Sequence, residues 1–376
     1  MLDIHAADLD ALTARGRLRA LAPRRGLDFS SNDFLALAES QAYRDAAAAA
    51  LARGVPVGAG GSRLLRGNHE EHEALEAEAA AFFGSETALY FGAGFAANEA
   101  LFATLPQRGD LVVHDALIHA SAREGMRLSR AEAVSAAHND AQAFEDAITH
   151  WRSGGGTGRA WIAIESLYSM DGDVAPLAEL AAVAARCEAF LVIDEAHATA
   201  VFGAGGRGLA HALEGRDNVV ALHTCGKGLG AFGALLCLPR VLKEFLVNRG
   251  RQFIFATAPS PLIAACVRAA LPIVEQAEDR RAELRARIAA ASEALRTRCG
   301  IAPSSSQILP IIVGDDRRAV ALAQAMQARG YDIRAIRPPT VAEGTARLRV
   351  ALTLNVTRAQ TLEMIDCLAT ELALAS

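Results

Sequence analysis

Mostly apolar runs of four residues recur along the first two thirds of the chain, each separated from the next by a stretch long enough for a helix: 88–91, 111–114, 133–136, 161–164, 190–193 and 219–222. The last three begin at 161, 190 and 219, a spacing of 29 residues, which accommodates a strand, a crossover helix and two short loops. That period predicts a largely parallel sheet covered by helices. Further on, an Ala/Arg/Glu-rich pattern over 262–298 predicts one long helix bridging to a second domain. From Gln307, apolar runs at 308–313, 333–336 and 348–354 alternate with helical segments and predict a smaller α+β unit. The organisation expected is an N-terminal segment 1–45, a large domain 46–270 and a small C-terminal domain 271–376 that includes the bridging helix. The glycine-rich stretch 153–158 is expected to be a surface loop inside the large domain.

Each run in the first part is followed by polar or glycine-rich residues, at 92–95, 115–119, 165–173, 194–197 and 224–227. In an open α/β sheet the ligand crevice lies outside the carboxyl ends of the strands, so these loops are expected to converge on one site. A length of 376 residues exceeds what one core usually supports and leaves ample material for a deep pocket. The balance of 52% hydrophobic and 22% charged residues with a net charge of −5 is that of a soluble globular protein and argues against a nucleic-acid or membrane partner. Six scattered cysteines without a C-x-x-C pair suggest free thiols in a reducing compartment. Residues 1–12 lack the basic and apolar regions of a secretory signal, and no apolar run is long enough to span a bilayer, so a cytoplasmic location is expected.

Charge usage changes the picture at one place. Of the 38 basic residues only Lys227 and Lys243 are lysines, and Lys227 sits in the tight run Thr224-Cys-Gly-Lys-Gly-Leu-Gly230. A guanidinium cannot be deprotonated at accessible pH or form an imine, whereas a buried ammonium can lose its proton and act as nucleophile or base. The run Gly92-Ala-Gly-Phe-Ala-Ala-Asn98 follows a strand and opens a helix, which offers free N–H groups and a positive helix end to an anion. It lacks the third glycine of the dinucleotide fingerprint, and Gly226-Lys227-Gly228 lacks the Ser or Thr of a P-loop. Asp194 ends another strand; it can cap a helix or hold a protonated ring nitrogen, and His197 reaches the same region. A strand-end Asp followed one βαβ unit later by a strand-end Lys, 33 residues on, is what a pyridoxal 5'-phosphate site on a doubly wound sheet needs.

The order of motifs along the chain resembles the α-oxoamine synthase family of fold-type I pyridoxal-phosphate enzymes. The matching stretches are Ser30-Ser-Asn-Asp-Phe-Leu35, Gly60-Gly-Ser-Arg-Leu-Leu65, Gly94-Phe-Ala-Ala-Asn98, His119-Ala-Ser121, His138-Asn-Asp140, Ser169-Met-Asp-Gly-Asp173, residues 194–197, residues 224–230, Ile336-Arg-Pro-Pro-Thr340 and Gly344-Thr-Ala-Arg-Leu-Arg349. The resemblance implies a transferase with a mostly parallel central sheet and a smaller C-terminal α+β domain, and pyridoxal phosphate as cofactor. Its branch joins L-alanine to a pimeloyl thioester, carried by coenzyme A or acyl carrier protein, with loss of carbon dioxide. The same resemblance implies that Lys227 holds the cofactor and then serves as base, that Asp194 pairs with the ring nitrogen, and that His119 stacks on the ring and touches substrate. His197 and Ser169 are then expected at the phenolic oxygen or substrate, Thr224 at the phosphate, and Gly94 and Phe95 at the pocket edge. Arg349 would grip the amino-acid carboxylate, Thr340 would line the substrate side, and Arg19 would meet the acyl-chain carboxylate. It also implies a homodimer, with the Gly60–Arg63 loop and the region of Thr257 serving the partner's site. Alternatives left open by the residues are a glycine-using member of the same family, a non-catalytic partner subunit and, more distantly, a nicotinamide dehydrogenase on Gly92 and Gly94. Two departures from the family pattern stand out: Ala93 where a serine is common, and Ala198-Thr-Ala200 where a glycine is.

Overall fold

The computed structural model describes residues 1–374. Among them, the strands in chain order are β1 (Leu27–Asp28), β2 (Thr87–Phe91), β3 (Leu111–Asp115), β4 (Glu132–Ala136), β5 (Ala160–Glu165), β6 (Phe190–Asp194), β7 (Val219–Thr224), β8 (Ala234–Leu238), β9 (Ile308–Gly314), β10 (Tyr331–Asp332), β11 (Arg334–Ile336) and β12 (Ala346–Ala351). Packing divides the chain into two units, one of residues 35–169 with 174–281, the other of residues 1–34 with 170–173 and 282–376. The divisions fall at 34/35 and 281/282, where the sequence reading has 45/46 and 270/271.

The larger unit holds a seven-stranded sheet in the order β2-β8-β7-β6-β5-β3-β4. Pairs β3–β4, β3–β5, β5–β6 and β6–β7 are parallel, and β8 runs antiparallel between β2 and β7. The inner parallel strands β3, β5, β6 and β7 read as apolar runs because both of their faces are covered, whereas the edge strand β4 is largely exposed. Alternate residues therefore enter different clusters: Val112, Trp161, Ala163 and Val192 join one, while Leu111, Val113, Ile162, Ile164, Leu191 and Ile193 join the other. β8 itself was not expected from the sequence, since 234–238 follows a glycine-rich turn with no helix-length spacer. The turn itself brings it back alongside β7, with Thr224 opposite Ala234.

The single bridging helix expected over 262–298 is instead two helices, Pro261–Glu275 and Glu278–Cys299. Arg281, 2% exposed, explains how the break is tolerated. Its guanidinium donates to the carbonyls of Val274 (2.5 Å) and Glu275 (3.2 Å), two of the acceptors that a helix end leaves open.

In the smaller unit β11, β12 and β9 form an antiparallel sheet in that order. The N-terminal segment joins this unit through β1, which pairs in parallel with β10, Leu27 opposite Tyr331. Gly26 permits the approach: a Cβ there would lie 2.2 Å from the Gly330 carbonyl oxygen.

Candidate active site

The carboxyl ends of β2, β3, β5, β6 and β7 surround a cavity of about 180 Å³. Seven of the residues singled out from the sequence line it: Gly94, Phe95, His119, Asp194, His197, Thr224 and Lys227. Five others also line it: Asn98, Ser121, Glu165, Ala196 and Leu222.

Lys227 follows β7 in a turn that is pinned rather than free. Cys225 N–H donates to Gly233 O and Ala231 N–H to Cys225 O, both at 2.8 Å. Gly228 passes so close to the β6 loop that a Cβ would lie 2.4 Å from Thr199 O, and Gly230 has φ +65°. The two glycines after the lysine are therefore required by close approach and by a left-handed backbone, whereas a Cβ at Gly226 would meet only Ala231 O at 3.8 Å, and a flexible surface turn is excluded. The Lys227 amine lies 2.8 Å from His197 Nε2, and His197 is buried. Lys243, by contrast, pairs with the Glu76 carboxylate at 2.9 Å.

After β2 the chain passes through Ala93 into the helix Gly94–Thr104, whose first turn has no side-chain cap. Its leading N–H groups have no acceptor within the helix and face an anion favourably. Thr224 closes on the same point: a Cβ at Gly94 would stand 2.8 Å from Thr224 Oγ1.

β5 and β6 are in register at their ends, Glu165 opposite Asp194, and both carboxyl groups are buried. Asp194 accepts from Asn98 Nδ2 at 2.8 Å and from Ala196 N–H at 3.0 Å. Its bond to Ala196 partly realises the capping alternative, since it steadies the turn that follows. Glu165 accepts from Ser169 N–H at 3.1 Å through one oxygen, while Oε1 is buried with no hydrogen-bond partner. Burial, and then the negative charge of Asp194, push the Glu165 carboxyl up to about 8. Lys227 and the Ser169 amide act the other way without overcoming them.

His119 caps the helix Ala120–Leu128, Nδ1 accepting from Ser121 N–H at 3.2 Å. Although the residue is exposed at the cavity rim, the protein packed around its ring lowers its pKa. Asp194 opposes that shift and Lys227 adds to it.

The sequence of residues 24–368 matches the family model described as aminotransferase class I and II. The chain belongs to this family. An 8-amino-7-oxononanoate synthase of Anaeromyxobacter dehalogenans is 43% identical to it over 93% of this chain and 91% of the relative. The solved structure of an 8-amino-7-oxononanoate synthase from Francisella tularensis superposes with a TM-score of 0.78 at 26% identity, covering 93% of this chain and 98% of that one. A Sphingomonas wittichii serine palmitoyltransferase superposes with a TM-score of 0.89 at 26% identity, over 100% and 98%.

In this chain Ser169 is buried but does not line the cavity; its N–H contributes by holding Glu165. Arg19, Thr340 and Arg349 belong to the smaller unit. There Arg349 is buried on β12 with Nη2 donating to Asn32 Oδ1 at 3.1 Å, whereas Arg19 and Thr340 are exposed. The quoted stretch 138–140 serves structure: His138 and the Asn139 amide bond the buried Asp115 carboxylate, and Asp140 caps the helix Ala141–Ser153. Sequence reasoning gave no role to Asn98, Ser121 or Glu165. Asn98 and Ser121 end two of the matched motifs, and Glu165 occupies the same strand-end place as Asp194, which is the signal that could have found them.

Proposed function

We propose that this chain, with pyridoxal phosphate as cofactor, condenses L-alanine with a pimeloyl thioester to give 8-amino-7-oxononanoate, carbon dioxide and the free thiol of coenzyme A or acyl carrier protein. The observation that carries the reading is the joint placement of Lys227, Asp194, His119 and His197 on one cavity in a chain 43% identical to a protein of that name. The residues suit the cofactor. The uncapped start of the helix at Gly94, with the Thr224 hydroxyl beside it, suits a phosphate, and Asp194 suits a protonated ring nitrogen. When bound, the cofactor supplies an electron sink for the pair left at the substrate α-carbon.

The chain's own residues do the rest. Lys227, as a free amine, takes the proton from the α-carbon and later returns one there. His197 next to it accepts from or donates to that amine and so influences when it is free. His119, on the cavity rim, would hold the cofactor ring by stacking, and Ser169 holds Glu165 through its N–H. Arg349 grips the alanine carboxylate with a bidentate fork, Thr340 lines the substrate side, and Arg19 meets the far carboxylate of the acyl chain. The working form is a cytoplasmic homodimer in which the Gly60–Arg63 loop and the Thr257 region serve the partner's site. Among the described residues no helix is long and apolar enough to cross a membrane.

The test is mass spectrometry of products after incubating the protein and pyridoxal phosphate with L-alanine plus pimeloyl-CoA, beside glycine plus acetyl-CoA, each repeated with Lys227→Ala. 8-Amino-7-oxononanoate from alanine alone, absent with Lys227→Ala, is expected. Product from glycine alone would keep the family and overturn the substrate assignment.

A further inference from the structure

Two residues to which the reaction assigns no part connect the group expected at the ring nitrogen with the group expected at the ring face. Asn98 is 2% exposed and Ser121 1% exposed. Asn98 Nδ2 donates to Asp194 Oδ2 at 2.8 Å and to Ser121 Oγ at 3.0 Å. Ser121 Oγ lies 2.7 Å from His119 Nδ1. The four side chains form one continuous chain from β6 through the helix Gly94–Thr104 to the start of the helix Ala120–Leu128.

The direction of every bond in this chain follows from valence. Only an N–H can face the Asp194 carboxylate, which also accepts from Ala196 N–H, so the amide of Asn98 presents its nitrogen there. The second Nδ2 hydrogen then points at Ser121 Oγ, which must accept. The single hydroxyl proton of Ser121 is left for His119 Nδ1. The Ser121 backbone N–H reaches that same nitrogen at 3.2 Å and can only donate. His119 Nδ1 therefore carries no proton, and the proton of the neutral ring sits on Nε2.

We propose that Asn98 and Ser121 are positioning residues that hold His119 as a neutral, Nε2-protonated ring and couple its orientation to that of Asp194. The proposal rests on the reading that this cavity holds the cofactor only for its consequence, not for its geometry. The consequence is that a neutral imidazole stacks on a ring whose nitrogen is kept protonated without setting one cation on another, and Nε2–H stays available as a donor. The charged and titratable groups that share the cavity with His119 are Asp194 from β6, His197 from the loop after it, Lys227 from the turn after β7 and Glu165 from β5. Arg123, on the helix His119 caps, turns its guanidinium to the carbonyls of Ala116 and Ile118.

The experiment is nitrogen-15 NMR of the full chain labelled at histidine, with His119 assigned by comparison with His119→Gln, recorded with and without pyridoxal phosphate. In the unsubstituted protein His119 should show an unprotonated Nδ1 and a protonated Nε2 from about pH 6 to pH 8. Ser121→Ala removes one donor to Nδ1 and should raise the His119 pKa by about 1, while Ser121→Thr restores the hydroxyl and the low value. Asn98→Asp faces Asp194, with which it must share a proton, and Ser121, but does not touch His119. An acceptor there should draw the Ser121 proton away from Nδ1 and raise the His119 pKa by a similar amount.

A direct charge effect of Asn98→Asp would add to Ser121→Ala, whereas an effect passed through the hydroxyl would be absorbed by it, so the double variant decides. Non-additivity supports the relay. Full additivity, or a protonated Nδ1 in the unsubstituted protein, overturns it, and the Ser121 pair alone still decides should Asn98→Asp fail to fold. Pyridoxal phosphate titrated into the same samples separates the two readings. Binding that weakens about tenfold in Ser121→Ala and recovers in Ser121→Thr is expected, since about one hydrogen bond is lost. No visible chromophore in the unsubstituted protein would sink the cofactor reading while leaving the tautomer result standing.

Discussion

The ends of β5 and β6 carry carboxyl groups at the same register and depth, yet the protein treats them differently. Asp194 receives an amide hydrogen bond on each oxygen, from Asn98 and from the Ala196 backbone. Glu165, opposite it, has its donors on one oxygen, the Ser169 amide with the His119 amide beside it, and its second oxygen is bare. Two adjacent buried anions would repel strongly, so the fold supplies donors to one and lets the other keep its proton. The lesson is that two strand-end carboxyl groups at one register are told apart by what their neighbours donate, not by their position.

The largest effect should come from removing the anion that the donors maintain. Asp194→Asn keeps shape and the bond to Ala196 but loses the charge, and it turns an N–H towards Asn98. Turnover of L-alanine with pimeloyl-CoA should fall at least about a hundredfold, the scale seen when a preorganised charge partner is lost. A fall of less than tenfold would mean that the charge at this strand end matters no more than the one opposite.

Glu165→Gln sharpens the comparison through stability instead. A carboxyl in the unfolded chain releases its proton near pH 4.5, whereas the folded protein holds the Glu165 proton up to about 8. Between those values the native state binds more protons than the unfolded one, so this group's contribution to stability is full below pH 4.5 and is lost as pH rises towards 8. Glutamine can still accept from Ser169 and does not titrate. Relative to the unsubstituted protein, Glu165→Gln should therefore melt higher at pH 8 than at pH 5, by on the order of 2 °C. Parallel melting curves at the two pH values would show that Glu165 is already ionised at neutral pH. Activity should change less than with Asp194→Asn.

What could be read from the sequence follows the same division. Strands buried on both faces announce themselves as apolar runs, which is why β2, β3, β5, β6 and β7 were legible and why their polar ends pointed to one cavity. β8 was not, because an antiparallel strand after a tight turn has no crossover to set its spacing. The break near Gln276 was hidden too. The helical pattern runs through it, and only the fold shows the Arg281 side chain taking up the freed carbonyls. Lys227 and Asp194 stood out because their chemistry has few structural substitutes. Asn98 and Ser121 did not, since an amide or hydroxyl near a helix start usually caps or packs, and their partners are far apart in sequence. Glu165 was passed over because an acid's protonation depends on neighbours that a linear reading cannot place.

The smallest effect tests how much strain the β6 end carries. Ala200 has φ +73° and is fully buried, a conformation that favours glycine, while in the stretch after β5 the left-handed position is Gly172, φ +71°. Holding an L-residue in that region costs about 1–2 kcal/mol. Replacing it with glycine would release this, but glycine loses about 0.5–1 kcal/mol more backbone freedom on folding. The methyl group also buries about 0.8 kcal/mol of apolar surface that glycine would forgo. The terms nearly cancel, which explains how alanine is tolerated at this left-handed position, in a stretch that contains a glycine in the family pattern. Ala200→Gly should accordingly shift the melting temperature by less than about 2 °C and leave turnover within about twofold. Ala200→Val, whose β-branched side chain suits neither the backbone nor the packed loop, should lose well over 2 kcal/mol of stability, about the cost of a strained backbone plus overpacking. A gain of more than about 5 °C in Ala200→Gly would mean that the strain at the β6 end is far from offset, and that the strand end bearing the anion is held in place against a backbone cost its neighbour avoids.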